Sequence, residues 1–221
     1  MVPASPPRRP GYHDKMMVKR TFKHWTPRYV VDRIQLKVFE SRHPDLPWLT
    51  RASIEIMATW LRSDDLGLEL GSGRSTFWFA RRTRRLISLE HDPSWHERVY
   101  RKIQNQRIDN IEYHHVPQPG SYVDFVEALG NNTFDFILVD GIERDRCAVT
   151  CTSKLKPGGL LILDNANWYL PFASRSPASC GAGNTPATAI WETFAELVRP
   201  WRTIWTSNGV TDTAIWMKPQ V

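Results

Sequence analysis

The sequence lacks any apolar run of the roughly 18 residues that a membrane-spanning helix needs. Its first residues, Met1 to Arg9, are rich in proline and arginine and lack the apolar stretch of a secretory signal. Cysteine is also scarce. The chain has Cys147, Cys151 and Cys180, and an odd number of cysteines without disulfide-like spacing favours a reducing compartment. These absences predict a protein with no membrane span that resides in a reducing compartment, the cytoplasm.

Acidic residues are few in the first part of the chain. Residues 1–37 hold nine Lys/Arg and two Asp/Glu, whereas the whole chain of 221 residues carries a net charge of +6. The remainder is nearly neutral, which argues against a broad nucleic-acid surface on the domain itself. Residues 1–26 are predicted to form a basic, partly disordered arm, either a solvated tail or a contact for phosphates or an acidic partner. Residues 27–221 suffice for a single domain.

Glycine is concentrated where the first predicted strand ends. Residues 66–70 form a short apolar strand, and residues 71–73 (Gly-Ser-Gly) turn the chain into a helix over about residues 76–82, with Ser75 as its cap. Glycine permits the backbone angles of such a turn, and a helix N-terminus favours polar or anionic ligands. The third glycine of the dinucleotide fingerprint is absent, which weakens a nicotinamide interpretation.

The rest of the chain alternates between strand and helix patterns. Further strands are predicted over residues 85–90, 110–116, 134–140, 160–165, 203–209 and 212–218, the last two joined by an Asn-Gly turn. Helices are predicted over residues 28–40, 51–62, 93–105, 121–129, 143–155 and 185–198, and residues 156–159 (Lys-Pro-Gly-Gly) are predicted to turn. The pattern predicts an α/β fold, a doubly wound seven-stranded mostly parallel sheet with a C-terminal antiparallel hairpin.

The second predicted strand ends in an acidic residue, Glu90, which lies 17 residues after Gly73. Adjacent parallel strands place their carboxyl ends side by side, so this carboxylate should face the crevice over the glycine turn. There it would accept hydrogen bonds from the cis-diol of a ribose. His91, the next residue, is predicted either to contact an adenine or to lie on the surface.

Glu69 completes the pattern Glu-x-Gly-x-Gly, which resembles motif I of class I S-adenosylmethionine-dependent methyltransferases. The resemblance covers about residues 50–218 and includes Phe-Asp-Phe-Ile-Leu-Val-Asp at 134–140 and Leu-Lys-Pro-Gly-Gly-Leu at 155–160. It implies a Rossmann-like methyltransferase fold with cofactor-covering cap helices over residues 27–63. The residues that it implies as S-adenosylmethionine contacts are Glu69, Gly71, Ser72, Gly73, Ser75, Glu90, His91 and Asp140.

Polar residues after the fourth and fifth strands match the metal ligands of a related group. The catechol-type, metal-dependent O-methyltransferases hold a divalent cation with an Asp after strand four and an Asp-Asn pair after strand five. The matching residues here are Asp140, Asp164 and Asn165. The resemblance therefore implies a Mg²⁺ ion that aims and deprotonates a substrate hydroxyl. The alternative is that Asp140 and Asp164 only orient the cofactor amine or cap helices.

One position departs from that group, since its members carry a lysine shortly after the first aspartate. This chain has Arg144 instead, and a guanidinium stays protonated and is a poor base. Asp140 and Arg144 are nevertheless the predicted catalytic residues. Arg144 either pairs with a carboxylate or phosphate of the substrate, or closes a salt bridge to Glu143 or Asp145.

Residues 166–184 have no regular periodicity and contain several aromatic side chains, so they are predicted to form either a lid or a disordered surface loop. Trp48 is expected near the substrate entrance.

The predicted function is S-adenosylmethionine-dependent O-methylation of a small-molecule or glycan hydroxyl. The alternatives are an RNA methyltransferase that uses the basic arm, and a non-catalytic binding or scaffold protein. The oligomeric state does not follow from the sequence.

Overall fold

The computed structural model describes residues 25–117 and 120–220. Its seven strands are β1 (Leu66–Leu70), β2 (Arg85–Glu90), β3 (Ile111–His115), β4 (Phe134–Val139), β5 (Leu155–Asp164), β6 (Arg202–Ser207) and β7 (Asp212–Met217). They form one sheet in the order β3-β2-β1-β4-β5-β7-β6, in which β7 runs antiparallel to both neighbours. This confirms the predicted sheet. Most of the predicted arm, residues 1–24, lies outside the described residues.

Helices alternate with the parallel strands. They are α1 (Pro27–Arg42), α2 (Arg51–Trp60), α3 (Arg74–Ala80), α4 (Pro93–Gln106), α5 (Ser121–Ala128), α6 (Arg144–Lys154) and α7 (Ala189–Val198), with a 3₁₀ turn at Ala166–Trp168. Asp92 caps α4 by accepting the Trp95 N–H at 2.7 Å, and Pro93 follows it as predicted. None of the helices in residues 25–117 and 120–220 has the length and hydrophobicity of a membrane span.

The central strands are buried on both faces, which explains their nearly continuous apolar runs. Successive residues of β5 point to opposite sides of the sheet. Leu161 and Leu163 pack in the core under α5, α6 and α7, whereas Leu160 and Ile162 pack in the core under α2 and α3. Burying each such side chain stabilises the fold by about 1.5–3 kcal/mol. The central strands are therefore anchored on both faces of the sheet.

Three predicted boundaries were wrong. Helix α3 begins at Arg74, so Ser75 lies inside its first turn and Gly73 takes the capping position, with its N–H donated to Thr76 Oγ1. Helix α7 begins only at Ala189, after Thr188 accepts the Trp191 N–H. The predicted turn at residues 156–159 belongs to β5 instead.

The β5 correction has a steric explanation. Leu155 pairs with Phe134 and Leu160 with Phe136, so β5 bulges against β4 between these pairs. A side chain on Gly159 would lie 2.8 Å from the Asp135 carbonyl oxygen. Glycine is therefore required by the close approach of two strands and not by a chain reversal.

Candidate active site

The glycine loop, residues 71–73, leaves β1 at the carboxyl edge of the sheet and packs against the segment that follows β4. Gly71 has φ +99°, and its N–H donates to the Leu89 carbonyl oxygen at 2.9 Å. A Cβ on Gly71 would lie 2.8 Å from the backbone of Asp140 and Gly141. Both the backbone angle and the close contact therefore require glycine at this position.

Glu90 points at the glycine loop, as the strand order predicts. Its Oε2 accepts hydrogen bonds from the Ser72 N–H at 3.2 Å and the Ser72 hydroxyl at 2.9 Å. Its Oε1 accepts the backbone N–H groups of His91 at 2.8 Å and Asp92 at 2.9 Å. Burial opposes ionisation of Glu90, but the hydrogen bonds outweigh it and lower the pKa of this carboxyl.

The His91 side chain lies beside the same carboxylate, with Nδ1 3.0 Å from Glu90 Oε1. Its ring centroid is 6.3 Å from that of Tyr122. His91 is therefore at the carboxyl edge of β2, where the sequence places it, and its contact with adenine stays a prediction.

Glu69 supports the loop from inside the protein. Its side chain is fully buried, and Oε2 accepts the hydroxyls of Thr76 and Ser88, each at 2.6 Å. The Ser75 hydroxyl also bonds to this carboxyl. Burial nevertheless raises the pKa of Glu69 to about 7. Glu69 has no exposed surface, and its partner Ser75 is 8% exposed. A direct contact of Glu69 and Ser75 with the cofactor stays a prediction.

Sequence reasoning missed three aromatic residues around the loop. Trp95 donates its Nε1–H to the Ser72 carbonyl oxygen at 2.9 Å, and the Tyr113 hydroxyl lies 2.7 Å from Ser72 Oγ. Tyr122 is fully buried against Gly141, and its hydroxyl has no hydrogen-bond partner among the described residues. Their spacing is that of ordinary core residues, so no sequence signal distinguishes them.

The ends of β4 and β5 meet beside the glycine loop, and Arg144 lies between them. Its Nη2 donates to the carbonyl oxygen of Asp140 at 2.7 Å and to Asp140 Oδ1 at 2.6 Å. Its Nη1 donates to the Asp164 carbonyl oxygen at 2.9 Å and to Asn165 Oδ1 at 3.0 Å. Its Nε donates to the Gly141 carbonyl oxygen at 2.9 Å. All five N–H donors of the guanidinium are thus used within the protein.

The three predicted metal ligands are therefore brought together but do not fit a Mg²⁺ ion. The Arg144 guanidinium binds Asp140 and Asn165 from the position that an ion between them would take. Asp164 Oδ1 accepts the Thr213 hydroxyl at 3.0 Å, so it is directed at β7. Among residues 25–117 and 120–220, no three His, Cys, Asp or Glu side chains form a group that could hold a metal. The prediction of a metal site is not supported.

Two alternatives for Arg144 are also corrected. It pairs with Asp140 and not with Glu143 or Asp145, because Glu143 accepts the Gly120 N–H at 2.7 Å and lies 3.3 Å from Arg146. No donor of Arg144 remains for a carboxylate or phosphate of a substrate, and the catalytic role of this residue stays a prediction.

The residues around Arg144 include two with strained backbone angles and one buried carboxyl group. Glu143 and Asn165, which flank the Arg144 contacts, have left-handed backbone angles of φ 49° and 54°. Such conformations cost free energy in residues with side chains and cluster at functional sites. Burial and the nearby Asp140 charge raise the pKa of Asp164 to about 8. The Arg144 guanidinium thus lies near the carboxyl groups of Asp140 and Asp164, whose negative charges would repel each other.

Comparison with known proteins fits this geometry. A family model described as a methyltransferase domain matches residues 68–166, from β1 to just beyond β5. The chain carries a methyltransferase domain. Together with the glycine loop and Glu90, this makes the protein an S-adenosylmethionine-dependent methyltransferase. No protein with a curated function matches the sequence.

Solved structures of other methyltransferases share the fold. A putative O-methyltransferase from Klebsiella pneumoniae is 19% identical with a TM-score of 0.58, and the match covers 86% of this chain and 97% of that one. A methyltransferase from Geobacter sulfurreducens is 14% identical with a TM-score of 0.53, covering 86% and 90%. An rRNA methylase from Streptococcus thermophilus is 9% identical with a TM-score of 0.50, covering 75% and 93%. Identities this low establish the fold alone.

The segment predicted as a lid is tied to the methyltransferase sheet along part of its length. The Ser176 hydroxyl donates to the buried Asp212 at 2.6 Å, and the Asp212 N–H donates to Asn167 Oδ1 at 3.1 Å. The Phe172 ring stacks on Trp205 with centroids 4.3 Å apart. These contacts join the segment to the β6–β7 hairpin, and its closure over a substrate stays a prediction.

Proposed function

We propose that this methyltransferase transfers the methyl group to a hydroxyl oxygen of a small molecule or glycan. The observation that carries the proposal is that only one of the two Asp140 carboxylate oxygens is hydrogen-bonded within the described residues. Arg144 holds one of its oxygens at 2.6 Å, and the other makes no hydrogen bond within the described ranges. The side chain is 32% exposed at the carboxyl edge of β4, beside the glycine loop. A carboxylate held in this way can accept the proton of an acceptor hydroxyl.

S-adenosylmethionine supplies an electrophilic methyl group on its sulfonium. The glycine loop offers backbone without side chains for the cofactor to lie against. Glu90 is the proposed ribose ligand, and its bonds from the Ser72 hydroxyl and N–H are of the kind that ribose hydroxyls can replace. The proposed cofactor contacts are Glu69, Gly71, Ser72, Gly73, Ser75, Glu90, His91 and Asp140. Tyr122, whose buried hydroxyl has no hydrogen-bond partner among the described residues, joins them.

Asp164 affects the reaction through its electrostatic interaction with Asp140. It is buried, and its raised pKa of about 8 shows that a second negative charge is disfavoured at this place. Because Asp164 keeps its proton near neutral pH, Asp140 carries the negative charge of the pair and is the group that can accept the proton of the acceptor hydroxyl. Arg144 stays protonated and holds the pair in place. Positioning and deprotonation are the main requirements of an in-line displacement at the sulfonium.

The acceptor side contains an exposed aromatic surface. Trp48 is 51% exposed, with the Arg74 guanidinium 5.1 Å above its ring and the Trp95 ring 6.4 Å away. A small cavity next to it is bounded by His43, Arg74 and Thr211, and Thr211 accepts the Asn165 amide at 2.7 Å. A sugar or aromatic ring that stacks on Trp48 would lie on the path to the β5 end. This supports a glycan or phenolic acceptor.

Cofactor binding is tested by titration calorimetry. Wild type should bind S-adenosylmethionine saturably, and Gly71→Val should lose binding because its Cβ would overlap the Asp140 backbone. Gly183→Ala is the matched control, since Gly183 also has a positive φ of +88° but no atom within 4 Å of an added Cβ. No binding by wild type at millimolar cofactor would overturn the proposal.

Turnover is tested with a panel of hydroxylated sugars and phenols. Release of S-adenosylhomocysteine that depends on one acceptor, and that is lost in Asp140→Asn, supports the proposal. Cofactor binding without release for any acceptor would favour the non-catalytic binding protein. Methylation at nitrogen in the product would exclude the hydroxyl assignment.

RNA methylation is the second candidate, and one observation favours it. Residues 74–107 contain nine Lys/Arg against three Asp/Glu, so the near-neutral domain has an uneven charge. Arg98, Arg101 and Lys102 are exposed on α4. If RNA binds there, Arg98→Glu with Lys102→Glu should weaken RNA affinity and flatten its salt dependence, whereas acceptor-sugar turnover should not change.

A further inference from the structure

Arg144 occupies the space between the ends of β4 and β5 in a way that leaves no room for an ion. Its guanidinium nitrogens lie 2.6–3.0 Å from Asp140 Oδ1, Asn165 Oδ1 and the carbonyl oxygens of Asp140 and Asp164. A divalent ion would need several of these same oxygens at about 2.0–2.6 Å. The guanidinium and the ion therefore exclude each other.

Two further contacts, with Gly141 and Tyr169, also fix the position of the Arg144 side chain. Its Nε donates to the Gly141 carbonyl oxygen at 2.9 Å, and the guanidinium carbon lies 5.9 Å from the centre of the Tyr169 ring. Its side chain is 16% exposed. Because every N–H has an acceptor in the protein, no hydrogen bond would be gained by turning the side chain towards solvent or substrate.

We propose that Arg144 is a built-in replacement for the divalent cation of the metal-dependent O-methyltransferases. It is a positioning residue that joins the ends of β4 and β5, balances the Asp140 charge and keeps one oxygen of Asp140 towards the crevice. The site therefore binds no catalytic metal, and removing the guanidinium exposes a latent set of oxygen ligands. Metal-independent catalysis rests on the proposed function, whereas the metal-binding behaviour does not.

The test is a titration with Mn²⁺ alone, followed by electron paramagnetic resonance of the free ion. Wild type should show no stoichiometric binding. Arg144→Ala should bind one Mn²⁺ at least about tenfold more tightly, because the oxygens that faced the guanidinium become available. Arg146→Ala is the matched control, since its side chain is 49% exposed on the same helix and contacts none of these oxygens.

Two further variants make the result specific. Arg144→Lys keeps a cation in place and should gain no metal site. The double variant Asp140→Asn, Arg144→Ala should lose the binding that Arg144→Ala gains. Circular dichroism establishes that each variant is folded, and Arg144→Gln replaces Arg144→Ala if the alanine variant does not fold.

Either of two outcomes overturns the proposal. One is stoichiometric Mn²⁺ binding by wild type that is lost in Asp140→Asn. The other is a folded Arg144→Ala or Arg144→Gln variant that binds no more Mn²⁺ than wild type. If an acceptor is found, EDTA should leave the wild-type rate unchanged. Failure to find any acceptor would count against the proposed function only, since the Mn²⁺ result does not depend on turnover.

Discussion

The two halves of the carboxyl edge of the sheet are built differently. At the ends of β1 and β2, Glu90 is held by the Ser72 hydroxyl and by backbone N–H groups. At the ends of β4 and β5, Arg144 is held by an ion pair and four further oxygen contacts. The first arrangement can exchange its hydrogen bonds with a ribose, whereas the second has none to exchange. The comparison separates a half whose hydrogen bonds a ligand can replace from a half whose arginine has every donor bonded within the protein.

The energies of the two arrangements explain the difference. A hydrogen bond from a neutral group to a carboxylate contributes about 1.5–3 kcal/mol, and a ribose hydroxyl can replace a serine hydroxyl at little net cost. Breaking a buried ion pair by removing one partner costs about 3–5 kcal/mol because it leaves an uncompensated charge. We therefore expect the β4–β5 half to resist change and the β1–β2 half to respond to the cofactor.

The largest expected effect is the loss of the arginine that links β4 and β5. Arg144→Ala should lower the free energy of unfolding by about 3 kcal/mol, the lower end of the range for a buried pair because the Asp140 side chain is 32% exposed. Urea unfolding measures this change. The surface control Arg146→Ala should stay within about 0.5 kcal/mol of wild type. Equal losses in the two variants would show that the β4–β5 half is no more tightly held than the surface.

The pH dependence of the unfolding free energy tests the role of Glu69, the buried carboxyl group under the glycine loop. The folded pKa of Glu69 is about 7 against an ordinary value of 4.5, so the folded state binds the proton more tightly than the unfolded state. This contribution to stability is full below pH 4.5 and is lost as the pH rises towards 7. Wild type should therefore lose about 3 kcal/mol relative to Glu69→Gln between pH 4 and pH 8.

The measurement for Glu69 is the difference in unfolding free energy between the two proteins at each pH. All other titrating groups are shared, so their effects cancel in the difference. Parallel profiles across this range would mean that Glu69 ionises normally, and the raised pKa of this buried carboxyl group would have to be abandoned.

Removing the exchangeable carboxylate should weaken cofactor binding by a smaller amount. Glu90→Ala should lower S-adenosylmethionine affinity by about 10- to 100-fold, the loss of one or two hydrogen bonds to a charged group. Calorimetry measures the affinity. Glu97→Ala is the matched control, because Glu97 lies on the neighbouring helix and pairs only with Arg101 among the described residues. Unchanged affinity in Glu90→Ala would remove the ribose assignment.

The smallest effect is expected at the exposed aromatic surface. Trp48→Ala should raise the KM for a ring-containing acceptor by about 5- to 10-fold through the loss of one stacking contact, with little change in kcat. Trp60→Ala, which is also an exposed tryptophan at 40% but lies on α2, is the control. A fall in kcat with an unchanged KM would place Trp48 with the reacting groups instead of the entrance.

Much of the fold and of the β1–β2 half was predictable, since each depends on local patterns. Apolar runs of the right length predicted the strands, and the Gly-Ser-Gly turn with Glu90 at the next strand end predicted the orientation that is observed. Errors arose where contacts distant in sequence decide the conformation. The bulge at Gly159 depends on Asp135 of the neighbouring strand.

The sequence by itself determined which polar residues stand at the strand ends, because alternation and strand length place them there. Only the tertiary structure decided what they do. Asp140, Asp164 and Asn165 have the oxygens of a metal site, but the first turn of α6 brings Arg144 among them and uses every donor it has. Side-chain direction and the satisfaction of hydrogen bonds are properties of packed neighbours, so no pattern along the chain reveals them.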